Sequence, residues 1–248
     1  VGFDEQLLLP YDVEGTTPAE LEKTNILFKF KQKVTEPARL AGTALLVHET
    51  MDQIKTPRQA WTYNTGQRRV RRAPNVAYDA PGSASDGLRL TDDFDMYNGA
   101  PNRYNWTLKG KQELLIPYND YRLHSDKVKY EDIIQPGHIN QDLVRYELHR
   151  VWVVEGTLKD GENHLYKKRV FYIDEDTCLI LLAEQYNDKE ELWRTSSSYT
   201  KYYPDMPGTF TVLDSFHDLS TNNYYIQAIT QQNKKAIEFF DSVLDTRR

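Results

Sequence analysis

The run Val144-Arg145-Tyr146-Glu147-Leu148-His149-Arg150-Val151-Trp152-Val153-Val154 decides the fold class. Along an extended chain, Val144, Tyr146, Leu148, Trp152 and Val154 fall on one side, and Arg145, Glu147 and His149 fall on the other. A period of two in a segment rich in β-branched and aromatic residues predicts a strand of an antiparallel sheet. Downstream the rhythm continues. An Asp160-Gly161 turn leads into a strand from Lys167 to Ile173. The Asp174-Glu175-Asp176-Thr177 turn precedes Cys178 to Tyr186, and Asn187-Asp188-Lys189 precedes Leu192 to Tyr199. Thr209 to Phe216 and Tyr224 to Ile229 complete this half.

Upstream the pattern is similar but more interrupted. Trp106 to Ile116 reads as a strand. From Ile26, Phe28, Phe30, Gln32 and Val34 oppose Lys29, Lys31 and Lys33, and Leu40 to Val47 repeats the pattern. Trp61 and Tyr63 run through an Asn64-Thr65-Gly66 turn into Gln67 to Arg72, which predicts a hairpin. Helical signals are few. Thr17-Pro18-Ala19-Glu20 carries a capping residue, a first-turn proline and a glutamate three residues after the cap. A short helix is expected near Tyr130 to Ile134, and another over Lys234 to Leu244, where Ile237, Phe240 and Leu244 share a face. The opening up to Tyr11 reads as irregular within an N-terminal segment, 1–24. Residues 73–104, rich in turn formers between Asp79 and Gly87, read as a long loop. The expectation is a mainly β (α+β) chain: one curved antiparallel sheet in a single domain over 1–248, with a few short helices and the long loop as a cover.

Composition narrows the function classes. The 17 Tyr, 9 Phe and 4 Trp exclude a disordered chain, and a mean hydropathy of −0.71 fits a chain with no apolar run of bilayer length, so it does not read as an integral membrane protein. A formal net charge of −6 argues against nucleic acid as a general partner. The lone Cys178 excludes an intrachain disulfide and a cysteine-only zinc site.

Catalytic signatures are missing: there is no paired-histidine helix motif, no nucleophile elbow and no glycine-rich phosphate loop. Asp92-Asp93-Phe94-Asp95 fails the calcium-loop pattern, because Asn98 and Tyr104 stand where a glycine and a glutamate are needed; it reads as a solvated loop. No catalytic residue, metal ligand set or cofactor is expected. Two features point to binding. The segment Arg68-Arg69-Val70-Arg71-Arg72 is either an edge strand guarded by charge or an anion-recognising strand, with Arg69 and Arg71 on one face. The aromatic residues Trp61, Tyr63, Phe94, Tyr104, Trp106, Tyr146, Trp152 and Phe171 are candidates to line an apolar pocket on a curved sheet.

Several segments together resemble a known family. They are Gln59-Ala60-Trp61-Thr62-Tyr63 running into Gly66-Gln67-Arg68-Arg69-Val70-Arg71-Arg72-Ala73-Pro74, Tyr78-Asp79-Ala80-Pro81, Asn102-Arg103-Tyr104-Asn105-Trp106, and Lys168-Arg169-Val170-Phe171-Tyr172-Ile173-Asp174. From about residue 25 onward the chain resembles the uncharacterised outer membrane lipoprotein-sorting protein-like family of Gram-negative bacteria, similar in fold to the LolA/LolB lipoprotein carriers. The resemblance implies a half-open antiparallel barrel, a removed secretory leader, a mature form shortened at its N-terminus, and a periplasmic location. It also implies a non-catalytic carrier for lipid, lipoprotein acyl chains or another hydrophobic small molecule, with an envelope transporter or outer-membrane protein as a partner. Two other readings stay open: an enzyme or ligand-orienting helper using the same cavity, and an adaptor that docks through the arginine edge.

Overall fold

In the computed structural model, residues 1–73, 78–82, 85–204 and 207–230 are described; the helix expected over Lys234 to Leu244 lies outside them. Internal contacts group the described residues into two compact units, 1–73 and 78–230.

The first unit is a five-stranded antiparallel sheet in chain order, β1 (Gly2–Leu8), β2 (Ile26–Glu36), β3 (Ala44–Thr50), β4 (Gln59–Asn64) and β5 (Arg69–Arg72), with helix α1 (Pro18–Thr24) between β1 and β2. The expected capping box forms: Thr17 Oγ1 accepts from Glu20 N, and Glu20 Oε2 accepts from Thr17 N at 3.0 Å. Strand β1 replaces the irregular opening. It is an edge strand with polar residues on both faces, so period two is faint. What aligns it is pairing of Phe3 with Val34 and of Leu7 with Phe30. The Asn64 turn closes the β4–β5 hairpin, its Oδ1 accepting from Gly66 N at 2.9 Å and Gln67 N at 3.2 Å.

The second unit is built on a seven-stranded antiparallel sheet. Its strands are β6 (Tyr104–Pro117), β9 (Tyr146–Leu158), β10 (Lys168–Asp174), β11 (Ile180–Tyr186), β12 (Leu192–Tyr203), β13 (Gly208–Asp218) and β14 (Asn223–Gln227), in the spatial order β14-β13-β12-β11-β10-β9-β6. Between β6 and β9 lie helix α2 (Tyr130–Ile133) and a two-stranded ladder, β7 (Ile134–Gln135) with β8 (His138–Ile139). The strands from β9 to β14 are successive antiparallel neighbours, as the turn spacing requires. The chain is mostly β, and its antiparallel sheets are not closed into a barrel.

This sheet curls. Leu114 and Ile116 of β6 pack with Leu181 and Leu182 of β11, although β9 and β10 lie between them in the sheet. The chain beyond β6 reaches β12, where Asp120 N donates to Thr200 O at 2.8 Å and Tyr121 Oη donates to Tyr202 O at 2.9 Å. The face bearing Ile116, Val151 and Tyr172 is therefore concave. At one end it is plugged by the segment following β6: Leu123, Ile133, Ile139 and Leu143 pack on Tyr199 and Leu213. No helix among the described residues is long and apolar enough to cross a membrane.

Candidate functional site

Register assigns every side chain of the seven-stranded sheet to a face. Across β9, β10, β11 and β12, the line Gly156, Arg169, Gln185, Arg194 and the line Val154, Phe171, Ala183, Ser196 lie on the convex side. Val153, Tyr172, Leu182 and Ser197 lie on the concave side, as do Glu155, Glu184 and Thr195. Burial alternates with this register. Along β11, Ala183 and Gln185 are buried, and Leu182, Glu184 and Tyr186 are only half-buried; Leu181, at the bulge between the Tyr172 and Ile173 pairs, packs instead on the concave side with Ile116 and Val151.

The convex face is sealed by residues 85–103. Arg169 is fully buried. Its Nη1 donates to Asp92 Oδ2 at 2.6 Å, and its Nη2 donates to Asp93 Oδ1 at 2.5 Å and to Asp92 Oδ1 at 3.3 Å. His164 Nε2 stands 3.1 Å from Asp92 Oδ2, and Tyr166 Oη donates to Asp93 Oδ2 at 3.0 Å. Arg194 Nη1 donates to Tyr166 Oη at 3.2 Å, and Arg194 Nε to Asp218 Oδ2 at 3.2 Å. The rings of Tyr97, Tyr104, Tyr166 and Phe171 surround the Arg169 guanidinium with centroids 5.0 to 5.8 Å away. Burial alone would raise the Asp92 carboxyl, but Arg169 and His164 outweigh it and hold Asp92 below the usual carboxylate range. At Asp93 burial, joined by repulsion from Asp92, outweighs Arg169, so this carboxyl is held above that range. One delocalised cation thus serves two unequal acids. Asp92 and Asp93, expected in a solvated loop, are 2% and 1% exposed, which corrects that reading: paired with Arg169, the two acids no longer need water. Asp95 of the same run is exposed.

The concave face is different in kind. Away from the plugged end its floor carries buried Val170 between half-buried Val153, Tyr172, Leu182, Glu184 and Tyr186. Glu184 organises the polar part: Tyr172 Oη donates to Oε1 at 3.0 Å and Tyr186 Oη to Oε2 at 2.6 Å. Burial, with the neighbouring Glu184 charge, pushes the Tyr172 phenol up to about 12, so both phenols remain neutral donors at physiological pH. Lys168 lies over the Tyr186 ring, its Nζ 3.9 Å from the centroid. The result is a concave surface with an aliphatic and aromatic floor and a fixed polar corner.

The sequence-selected residues separate into groups. Tyr104, Trp106 and Phe171 come together on the convex side, where the rings of Tyr97 and Trp106 lie 5.4 Å apart and those of Trp106 and Phe171 lie 6.0 Å apart. Trp106 lies flat over Gly156, where a Cβ would meet the indole at 2.8 Å, so glycine is required there. Phe94 is half-buried, 5.9 Å from the Arg89 guanidinium. Trp152 and Tyr146 share the convex side of β9: Lys111 Nζ lies 4.0 Å above the Trp152 ring, and Tyr146 Oη donates to Gln141 Oε1 at 2.6 Å. In the first unit, Trp61 pairs with Arg72 and Tyr63 with Val70, while Arg69 and Arg71 project to the opposite face, exposed on the edge strand. None of these ten residues forms the half-open floor. The residues that do, Val153, Tyr172, Leu182, Glu184 and Tyr186, sit in strands that the sequence located, but alternation alone does not say which side of a strand is concave. Near the rim of that floor, His149, Asp174 and Asp176 present one ligand-type atom each, all within 4.8 Å of one another.

Known proteins share this architecture. A domain of Vibrio parahaemolyticus with the provisional name outer membrane lipoprotein-sorting protein is 17% identical, with a TM-score of 0.51, over 80% of this chain and 67% of that one. A DUF1329 family protein of Desulfovibrio piger is 16% identical, with the same TM-score, over 80% and 67% of the two chains. At these identities the likeness is one of fold. The Uncharacterized protein PA3922 of Pseudomonas aeruginosa is 54% identical over 216 residues, which are 87% of this chain and 48% of that protein, so the chain spans about half the length of this curated relative. Residues 1–246 match the family described as Protein of unknown function (DUF1329), and the chain belongs to that family.

Proposed function

We propose that the concave trough of the second unit holds the apolar part of a lipid, of lipoprotein acyl chains or of a similar amphiphile, and that the protein is a non-catalytic carrier in the periplasm. The observation that carries this reading is the half-buried floor of Val153, Tyr172 and Leu182 in a curled sheet that stops short of closing into a barrel. Each methylene fully buried contributes about 0.8 kcal/mol, so micromolar binding, about 8.2 kcal/mol, calls for roughly ten buried methylenes or more, the length of a fatty acyl chain. The name given to the Vibrio neighbour supports the same direction. Exposed Arg69 and Arg71 favour an added role for the first unit: contact with an anionic surface or an envelope partner.

The test is uptake of a fluorescent fatty acid by delipidated protein. Micromolar uptake by wild type, weakened roughly tenfold by Leu182→Trp with little change in unfolding, is the expected result. No uptake by wild type overturns the carrier reading. Reversing both Arg69 and Arg71 to Glu should leave this uptake unchanged while lowering binding to anionic vesicles.

A further inference from the structure

We propose that His149, Asp174 and Asp176 form a binding site for a divalent transition-metal ion of the zinc type at the rim of the concave face. The sequence suggests no such site, because its ligands come from the middle of β9 and from the end of β10 and the turn beyond it, 25 and 27 residues apart. Only strand pairing brings them together.

The geometry is specific. His149 Nδ1 lies 2.9 Å from Asp174 Oδ1 and 3.8 Å from Asp176 Oδ2. A tetrahedral zinc ion with bonds of about 2.0–2.2 Å separates its ligand atoms by roughly 3.3 Å, and these two distances bracket that value. The third pair of ligand atoms, on Asp174 and Asp176, lies within 4.8 Å. Two carboxylates and a neutral imidazole supply two negative charges against a dication, and nitrogen with carboxylate oxygen is a donor set that zinc accepts.

The surroundings also suit a ligand cluster. Asp174 is fully buried, and its Oδ2 is held by Thr177 N at 2.9 Å and by Thr177 Oγ1 at 2.7 Å, which aims Oδ1 at the imidazole. Glu147 Oε2 stands 3.7 Å from His149 Nε2, on the far side of the ring from the ligand nitrogen. Glu147 is itself anchored by Asn119 Nδ2 at 2.9 Å and Arg145 Nη1 at 3.1 Å. A carboxylate behind the second ring nitrogen favours the tautomer that frees Nδ1 for a metal. The Tyr118 ring covers the imidazole with a centroid separation of 4.1 Å. Asp176 is 77% exposed, so the ion has an entry path and a fourth position open to water.

The experiment uses the untagged full chain, stripped with a chelator and titrated with zinc by native mass spectrometry and calorimetry. Cobalt(II) serves as a visible-absorption probe of coordination. The expected result is one zinc per chain and cobalt bands of a low-coordinate nitrogen–oxygen site. Asp176→Asn and His149→Gln should each weaken zinc by roughly tenfold or more, and His138→Ala, at an exposed histidine elsewhere, should not. Asp176 lies on an exposed turn, so Asp176→Asn keeps the wild-type circular dichroism and remains informative should His149→Gln misfold. Absence of stoichiometric zinc at micromolar concentration overturns the proposal, as does unchanged affinity in a folded Asp176→Asn.

Discussion

The two faces of the seven-stranded sheet invert the usual arrangement. Where residues 85–103 cover it, the convex face is the more polar, with Arg169, Gln185, Arg194, Ser196, Ser198, Asp214 and Asp218 all buried; its uncovered part over β6 and β9 exposes Leu115, Tyr146 and Leu148. The half-open face carries Val153, Tyr172, Leu182 and Tyr186. A polar face can be the dry one only where most of its groups satisfy each other, and here most do, while Arg169 Nε, Gln185 Oε1 and Asp214 Oδ1 have no hydrogen-bond partner among the described residues. Arg169 is shared between two aspartates, Arg194 bridges Tyr166 and Asp218, and Gln185 Nε2 donates to Ser196 Oγ at 3.1 Å. The other face is left with apolar surface uncovered, which a rigid scaffold can keep for a ligand. On the proposed reading, packing stability and the binding surface fall on opposite sides of one sheet.

The largest effect is expected from removing the buried cation of the covered face. Arg169→Ala strands Asp92 and Asp93 as buried, uncompensated acids and should cost about 3–5 kcal/mol in urea unfolding. The triple variant Arg169→Met, Asp92→Asn, Asp93→Asn should recover most of that loss, since the cost lies in the unpaired charges. Equal losses in both would show that ring packing around residue 169, not charge pairing, holds the face closed.

A smaller effect is expected at the plugged end of the concave face. Burial lifts the Asp120 carboxyl from 3.8 to about 6. The folded state then holds this proton more tightly than the unfolded chain does. Its contribution is fully present below pH 4 and is lost as pH rises towards 6. Wild type should therefore lose up to about 3 kcal/mol across that window relative to Asp120→Asn, which keeps the acceptor for Arg145 N. Parallel pH profiles for the two proteins would remove Asp120 from the account.

The smallest effect is expected on the uncovered part of the convex side. Lys111 and Arg150 there both pair with Glu175 at the surface, where the three side chains stay 31%, 63% and 26% exposed. Glu175→Ala should leave the melting temperature unchanged at physiological salt, because exposed ion pairs are screened and hold two long side chains still at an entropic cost. A drop approaching that of Arg169→Ala would mean that coverage does not distinguish the two regions.

Local chemistry determined much of this protein. Period two located the strands from Trp106 to Ile229, the Asn64 turn closed the β4–β5 hairpin, and Thr17 with Glu20 started the helix, because each is settled within a few residues of chain. Alternation also separated Tyr146 and Leu148 from Glu147 and His149 correctly, yet the apolar pair is the exposed one. Which side of a strand becomes concave is set by curl and by what packs on it, and neither is encoded in period. The Asp92 and Asp93 partnership with Arg169 spans 77 and 76 residues, and the meeting of His149 with Asp174 spans 25. A charged residue reads as solvated until a partner is known to neutralise it. Only the tertiary structure supplies the partner, because desolvating either charge alone costs several kcal/mol and bringing both together removes most of that cost.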